Sequence, residues 1–209
     1  MPSSMVSLSF HDLAKRYNQR QVFSGLSGSI SEGHVLAITG RNGAGKSSLV
    51  RALCGLVRPS AGKVTVSLDG AELPPAECRA QMGVVAPDIS LYKELTALEN
   101  LAFFSEVRGL GARLPELEAM VERVGLAGRG KDLVGEYSSG MVQRLKYAQA
   151  LLHHPRLLFL DEPTANLDEA GSAMVAAIIA DQKARGILVL ATNEPEEAGF
   201  GDEVLHLGP

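Results

Sequence analysis

The chain has 209 residues, 45% of them apolar and 21% charged, with a formal net charge of −4. That balance excludes a disordered or fibrous chain and describes a globular α/β protein long enough to bury a core. It also lacks the basic excess of a nucleic-acid binder, so no nucleic-acid partner is expected.

The first ten residues, Met1 to Phe10, have neither a basic start nor a continuous apolar stretch, so no signal peptide is expected. The longest apolar run, Ala173 to Ala180, covers eight residues, against the roughly 20 a bilayer span requires. Any membrane role is therefore borrowed from a partner. Cys54 and Cys78 have no metal-ligand spacing; Cys54 lies in an apolar helical stretch and reads as core, in a reducing cytoplasm.

In chain order, Leu8 to Phe10 reads as a first strand, with a turn at Asn18 and Gln19. Val35 to Thr39 is a short apolar run stopping at Gly40, as a buried parallel strand does. Leu49, Val50, Leu53 and Leu56 recur at helical spacing through Ser47 to Leu56. Val64 to Leu68 alternates like a strand and turns at Asp69-Gly70. Thr96 and Glu99 form a capping box that opens a helix through about Val107. Pro115 and Gly125 bracket a second helix, and Gly140 to His154 reads as a third, with His153 and His154 complementing its C-terminal dipole. The Gly-rich stretch Gly125 to Gly135 is the expected flexible connection. Strands at Leu157 to Leu160 and Ile187 to Thr192 flank a helix at Gly171 to Ala184. Strands alternating with helices predict a parallel sheet covered on both faces, with the helical block inserted between its halves.

The strongest chemical signal is Gly40-Arg41-Asn42-Gly43-Ala44-Gly45-Lys46-Ser47, a full G-x-x-x-x-G-K-[ST] pattern between an apolar strand and an amphipathic helix. Glycines let backbone N–H groups curl around phosphate oxygens, and the helix aims its positive end at the same anion. Lys46 can reach the β- and γ-phosphates, and Ser47 can ligate Mg²⁺; Ser48 completes the candidate ATP-binding set. The second signal is the apolar run Leu157 to Leu160 ending in Asp161-Glu162, which puts carboxylates at a strand tip. Asp161 is the expected Mg²⁺ holder and Glu162 the base that deprotonates the attacking water.

Tyr137-Ser138-Ser139-Gly140-Met141, followed by Gln143-Arg144-Leu145, resembles the signature of the ATP-binding cassette (ABC) family. Asp161 to Asp168 resembles its extended Walker B and D-loop, with Asp168 the D-loop aspartate. The resemblance runs from Tyr17, matching the adenine-stacking aromatic, to the strand at Ile187. It implies a P-loop NTPase: a RecA-like α/β core over about 1–87 and 155–209, with an N-terminal antiparallel β part. A helical subdomain over 88–154 carries the signature. It further implies a homodimer or heterodimer with two ATPs sandwiched between subunits, each touching one chain's phosphate loop and the other's Ser138, Ser139, Gly140 and Met141. A separate membrane-spanning permease is the implied partner, placing the chain on the cytoplasmic face of the inner membrane. The short chain is most similar to the ATPases of cytochrome c maturation haem exporters and of ABC-2 type exporters.

Pro87 stands at the family's Q-loop glutamine, within Gly83 to Asp88, and Asn193 stands at its switch histidine. Proline offers no side-chain donor or metal ligand, and Asn can bond a γ-phosphate without becoming a cation. Slow turnover is expected from a catalytic set of Glu162, Lys46 and Asn193. Two other readings stand beside energy-coupled transport. One is a soluble cassette acting on ribosomes or DNA; the other is a nucleotide-gated module that hydrolyses little.

Overall fold

Strand β1 (Val6–Tyr17) and strand β2 (Arg20–Ser31) form an antiparallel hairpin that sets Tyr17 opposite Arg20. Asn18, at φ 52°, makes the turn, a backbone region that Asn tolerates better than most residues. The sequence showed Leu8 to Phe10 and the turn at Asn18 and Gln19, but not the second strand. Register shifts between Phe10 and Arg16 break the alternation of β1, and in β2 only Phe23 and Ile30 are buried. The apolar β3 (Val35–Gly40) leads through a glycine-rich loop into α1 (Lys46–Leu53). Strand β4 (Ala61–Leu68) returns antiparallel to β1, pairing Leu8 with Val66. Asp69 and Gly70, both at positive φ, then turn it into the two-residue β5 (Ala71–Glu72). The short α2 (Pro75–Ala80) and β6 (Met82–Val85) had no clear sequence signal.

Helices α3 (Ala97–Val107), α4 (Leu114–Arg123) and α5 (Ser139–Leu151) follow, with a single 3-10 turn at Val134–Glu136. The Thr96–Glu99 capping box forms in full: the Thr96 hydroxyl accepts from Glu99 N–H, and the Glu99 carboxylate accepts from Thr96 N–H. Then come β7 (Leu157–Asp161), α6 (Glu169–Lys183), β8 (Ile187–Ala191), α7 (Pro195–Ala198) and β9 (Glu203–Leu207).

The structure is a computed structural model that describes residues 5–208, and the chain packs as two compact units. The first runs to Val84 and takes in Arg156–Pro163 and everything from Ile179. It holds a sheet in the order β2-β1-β4-β5 and a second in the order β6-β7-β8-β3-β9, with β3 parallel to both β8 and β9. Leu8, Phe10 and Ile30 share one core with Leu36, Ile38, Leu49, Leu53, Phe159 and Val189. All ten residues of β7 and β8 are buried, which is why these strands read as unbroken apolar runs.

The second unit is Val85–Pro155 with Thr164–Ile178, so most of α6 packs with the helices rather than with the remainder of 155–209. At its centre the fully buried Asn100 accepts from Tyr92 N–H and donates to the carbonyls of Tyr92 and Thr96, satisfying its amide without water. The stretch from Gly125 to Gly135 differs from the expected loose connection. Leu126 N–H donates to Val121 O, Leu98 N–H to Gly130 O and Val134 N–H to Leu95 O, so backbone bonds tie it along its length. Helix α5 ends at Leu151, so His153 and His154 follow the helix instead of closing its last turn, and His154 adopts φ 50°.

Candidate functional site

The loop between β3 and α1 is shaped by glycines that nothing larger could replace. Gly40 has φ 145°, and a Cβ there would overlap the carbonyl oxygen of Leu207 on β9. Gly45, at φ 104°, is the N-cap of α1, and a Cβ there would run into Val22 of β2. The loop's close fit to its neighbours thus forces glycine at both positions. Helix α1 begins immediately after with Lys46, and its first-turn N–H groups have no side-chain cap.

Lys46 is 6% exposed, and its Nζ donates to the carbonyls of Gly40 at 2.8 Å and Arg41 at 3.3 Å. An ammonium is thereby held folded over the loop, ready to exchange carbonyl partners for an anion. The Ser47 hydroxyl donates to Asp161 Oδ1 at 3.0 Å, joining the start of α1 to the tip of β7. Asp161 is 1% exposed. A hydroxyl and a buried carboxylate side by side form a hard-oxygen pair of the kind that holds Mg²⁺ alongside phosphate oxygens, so these residues fit that ion.

Glu162, the next residue, is exposed and adopts φ 53°, with its N–H donating to Ala191 O of β8. A non-glycine residue in the left-handed region is strained by about 1–3 kcal/mol, and here the carboxylate lines the same cleft as the loop. That cleft measures about 1040 Å³, room for a nucleotide. Tyr17, at the end of β1, forms part of its wall, half-exposed, with Lys15 Nζ 4.7 Å from its ring centre. One cleft therefore gathers Tyr17, Arg41 to Ser48 and Glu162, with Asp161 joined to it through Ser47. The sequence missed its opposite wall, Arg20 to Ser24 and Leu26 of β2. The two-residue turn at Asn18-Gln19 was the available signal for that strand.

Asn193 stands on the exposed loop between β8 and α7 and is not among the residues of that cleft. Its neighbours are tightly held: Thr192 Oγ1 donates to the buried Glu197 carboxylate and accepts from Glu194 N–H at 2.9 Å. The Asn193 amide reaches Glu194 Oε1 at 3.5 Å, too long to fix its orientation.

The signature residues belong to the second unit. Ser138 caps α5, its hydroxyl accepting from Met141 N–H at 3.2 Å, while Ser138 and Ser139 stay exposed. Gly140 lies against the carbonyl oxygen of Asn166, too close for a side chain. Asp168 caps α6 by accepting from Gly171 N–H, and it also takes a 2.6 Å ion pair from Arg144. Those two contacts, the Gly171 amide first, hold its carboxyl below the ordinary aspartate range. Pro87 follows β6 in this unit too, and its carbonyl accepts from Lys146, a residue the sequence reading passed over. Lys146 sits in α5 between Leu145 and Tyr147, both fully buried, and a cation between two such neighbours was the missed signal.

The ABC transporter family profile matches residues 23–165. The chain is 37% identical over 182 residues to the daunorubicin resistance ATP-binding protein DrrA3 of Streptomyces coeruleorubidus, covering 86% of this chain and 58% of that protein. It is 33% identical over 198 residues to the linearmycin resistance ATP-binding protein LnrL of Bacillus subtilis (strain 168), covering 92% of this chain and 63% of that one. It thus spans less than two thirds of the length of these curated relatives. A solved structure of an ATP-binding subunit of an ABC transporter superposes with a TM-score of 0.82 at 28% identity, covering 96% of this chain and 85% of that one. The architecture is that of a P-loop NTPase.

Proposed function

The chain belongs to the ABC transporter family, on its ATP-binding side, and we propose that it binds Mg-ATP in the cleft beside α1 and hydrolyses it to drive a separate membrane-spanning permease. The observation that carries this is the convergence of Lys46, the Ser47–Asp161 pair and Glu162 from one helix start and one strand end onto a single cleft. Lys46 leaves the loop carbonyls for the β- and γ-phosphates, and the α1 amides take up the remaining phosphate charge. Ser47 and Asp161 would hold a Mg²⁺, which would supply charge neutralisation at the phosphate oxygens. Glu162, fixed at its backbone and free at its carboxylate, accepts the proton of the attacking water. Tyr17 stacks on the base, as a half-exposed ring at the cleft wall can.

On this reading two copies, or this chain and a second ATPase, close around two nucleotides. The Ser138–Met141 amides of each chain serve the ATP of its partner, and Asp168 lies at the same contact. Among the described residues no helix is long and apolar enough to cross a membrane. The named relatives confer resistance to daunorubicin and linearmycin. They favour export of a drug or antibiotic, and their names lend the haem-exporter reading no support. Asn193 and Pro87 make turnover slow in the isolated chain.

Glu162→Gln tests the whole reading. The amide cannot take the water's proton, so the variant should bind ATP like the wild type, lose turnover and accumulate as an ATP-dependent dimer on size-exclusion chromatography. Wild-type turnover in Glu162→Gln places the base elsewhere, and wild-type protein that binds no nucleotide removes the reading altogether.

A further inference from the structure

Lys146 has no task in the mechanism above, yet its position is an expensive one. It lies midway along α5, is 7% exposed, and carries an ammonium that needs acceptors when buried. Its acceptors come from one loop: Nζ donates to Ala86 O at 3.0 Å and to Pro87 O at 3.1 Å. Burial pushes the amine's pKa down, and the charge of nearby Asp88 opposes that shift. A methionine would fill the same space with no acceptor required, so a cation here specifies a connection rather than packing.

The loop has use for such a connection. Pro87 has no N–H to donate and no polar side chain, and Ala86 O also receives a 3.2 Å bond from Ile89 N–H. Lys146 grips the two main-chain carbonyls and therefore holds the loop whatever side chain stands at position 87. The helix that carries Lys146 opens at Ser138, eight residues earlier, a rise of about 12 Å along a rigid rod. All of these groups lie within the second unit.

We propose that Lys146 is a positioning residue that locks the Ala86–Asp88 loop to α5, so that a displacement of the loop moves the Ser138–Met141 amides with it. The proposal rests on the function argued above, because the task of those amides is to receive the partner's ATP. Lys146 touches no nucleotide; it sets where the capped helix end is held.

The test uses Lys146→Met and Lys146→Gln, each in the Glu162→Gln background, with Glu162→Gln alone as the reference. Three quantities are read: affinity for a fluorescent ATP analogue, the ATP-dependent dimer dissociation constant by sedimentation, and hydrogen exchange at the Ile89 and Val142 amides. Lys146→Met should keep nucleotide affinity within about twofold and weaken the dimer about tenfold, the scale of coupling through a packed network. Exchange should quicken at both Ile89 and Val142. Lys146→Gln keeps one donor on a shorter arm, should give an intermediate effect, and carries the test if the Met variant does not fold. Faster exchange at Ile89 alone, with an unchanged dimer constant, overturns the proposal and leaves Lys146 a local support. If Glu162→Gln itself forms no ATP-dependent dimer, the proposed function is what fails, and the exchange at Val142 still decides the case of Lys146.

Discussion

Replacing Lys46 with Ala removes an ammonium that is 6% exposed and bonded to two loop carbonyls, at 2.8 and 3.3 Å. Two consequences follow, separable by whether nucleotide is present. Without nucleotide, the Gly40 and Arg41 carbonyls lose their charged donor, a loss worth about 1–3 kcal/mol. In a chain of this size each kcal/mol moves the melting temperature by roughly 2–4 °C, so the apo protein should melt about 2–12 °C lower. With nucleotide, the phosphates lose a charge-assisted bond worth about 1.5–3 kcal/mol, which raises the dissociation constant by about 10- to 150-fold at 1.4 kcal/mol per decade. The assays are thermal melting of the apo protein and isothermal titration with a non-hydrolysable ATP analogue and Mg²⁺. Lys46→Arg separates charge from fit: it keeps the cation, but its planar fork cannot place one nitrogen between the two carbonyls. Nucleotide affinity within twofold of the wild type in Lys46→Ala, with the expected loss of melting temperature, would show that the ammonium serves the loop and not a phosphate.

Gly40→Ala should cost about 2–4 kcal/mol, because φ 145° is foreign to alanine and its Cβ overlaps the Leu207 carbonyl; a melting temperature equal to the wild type's would contradict the strand contact. Asn193→His should raise the single-turnover rate by up to about 10²-fold with little change in affinity, since it adds a donor that can carry charge; an unchanged rate with intact binding means a differently arranged switch. The Asp202 carboxyl is held below its ordinary value, first by Lys183 at 2.5 Å and then by the Val35 amide. A depressed folded pKa gives stability that is present above the unfolded value near 3.9 and is lost as pH falls through the folded one. Asp202→Asn should therefore flatten the acid limb of the stability profile below about pH 4, and an unaltered limb would locate the acid sensitivity in other groups.

The glycine-rich loop before α1, the place of Asp161-Glu162 at the tip of β7 and the strands that carry them were legible because their cause is local. A buried parallel strand must be apolar throughout, a backbone cradle needs glycine, and a helix start needs a cap; each rule writes itself into adjacent residues. Thr96 and Glu99 are a further case, since both halves of their capping box lie within one turn. Strand β2 was not legible. Its pairing with β1 is bulged, and only Phe23 and Ile30 are buried, so no alternation survives in the sequence. The Gly125–Gly135 stretch misled for a related reason: its order comes from bonds to Val121, Leu98 and Leu95 rather than from its own composition.

The sequence by itself determined the family resemblance of this chain, because a glycine-rich loop before a helix and a strand that ends in carboxylates are written in contiguous residues. Only the tertiary structure decided that Lys46 rests on the Gly40 carbonyl, that Ser47 meets Asp161 across 114 positions, and that Lys146 holds the loop at Pro87 across 59. Such contacts depend on the register of distant strands and on which helix face is turned inward. A side chain's acceptors are chosen by that packing, and no spacing along the chain encodes it.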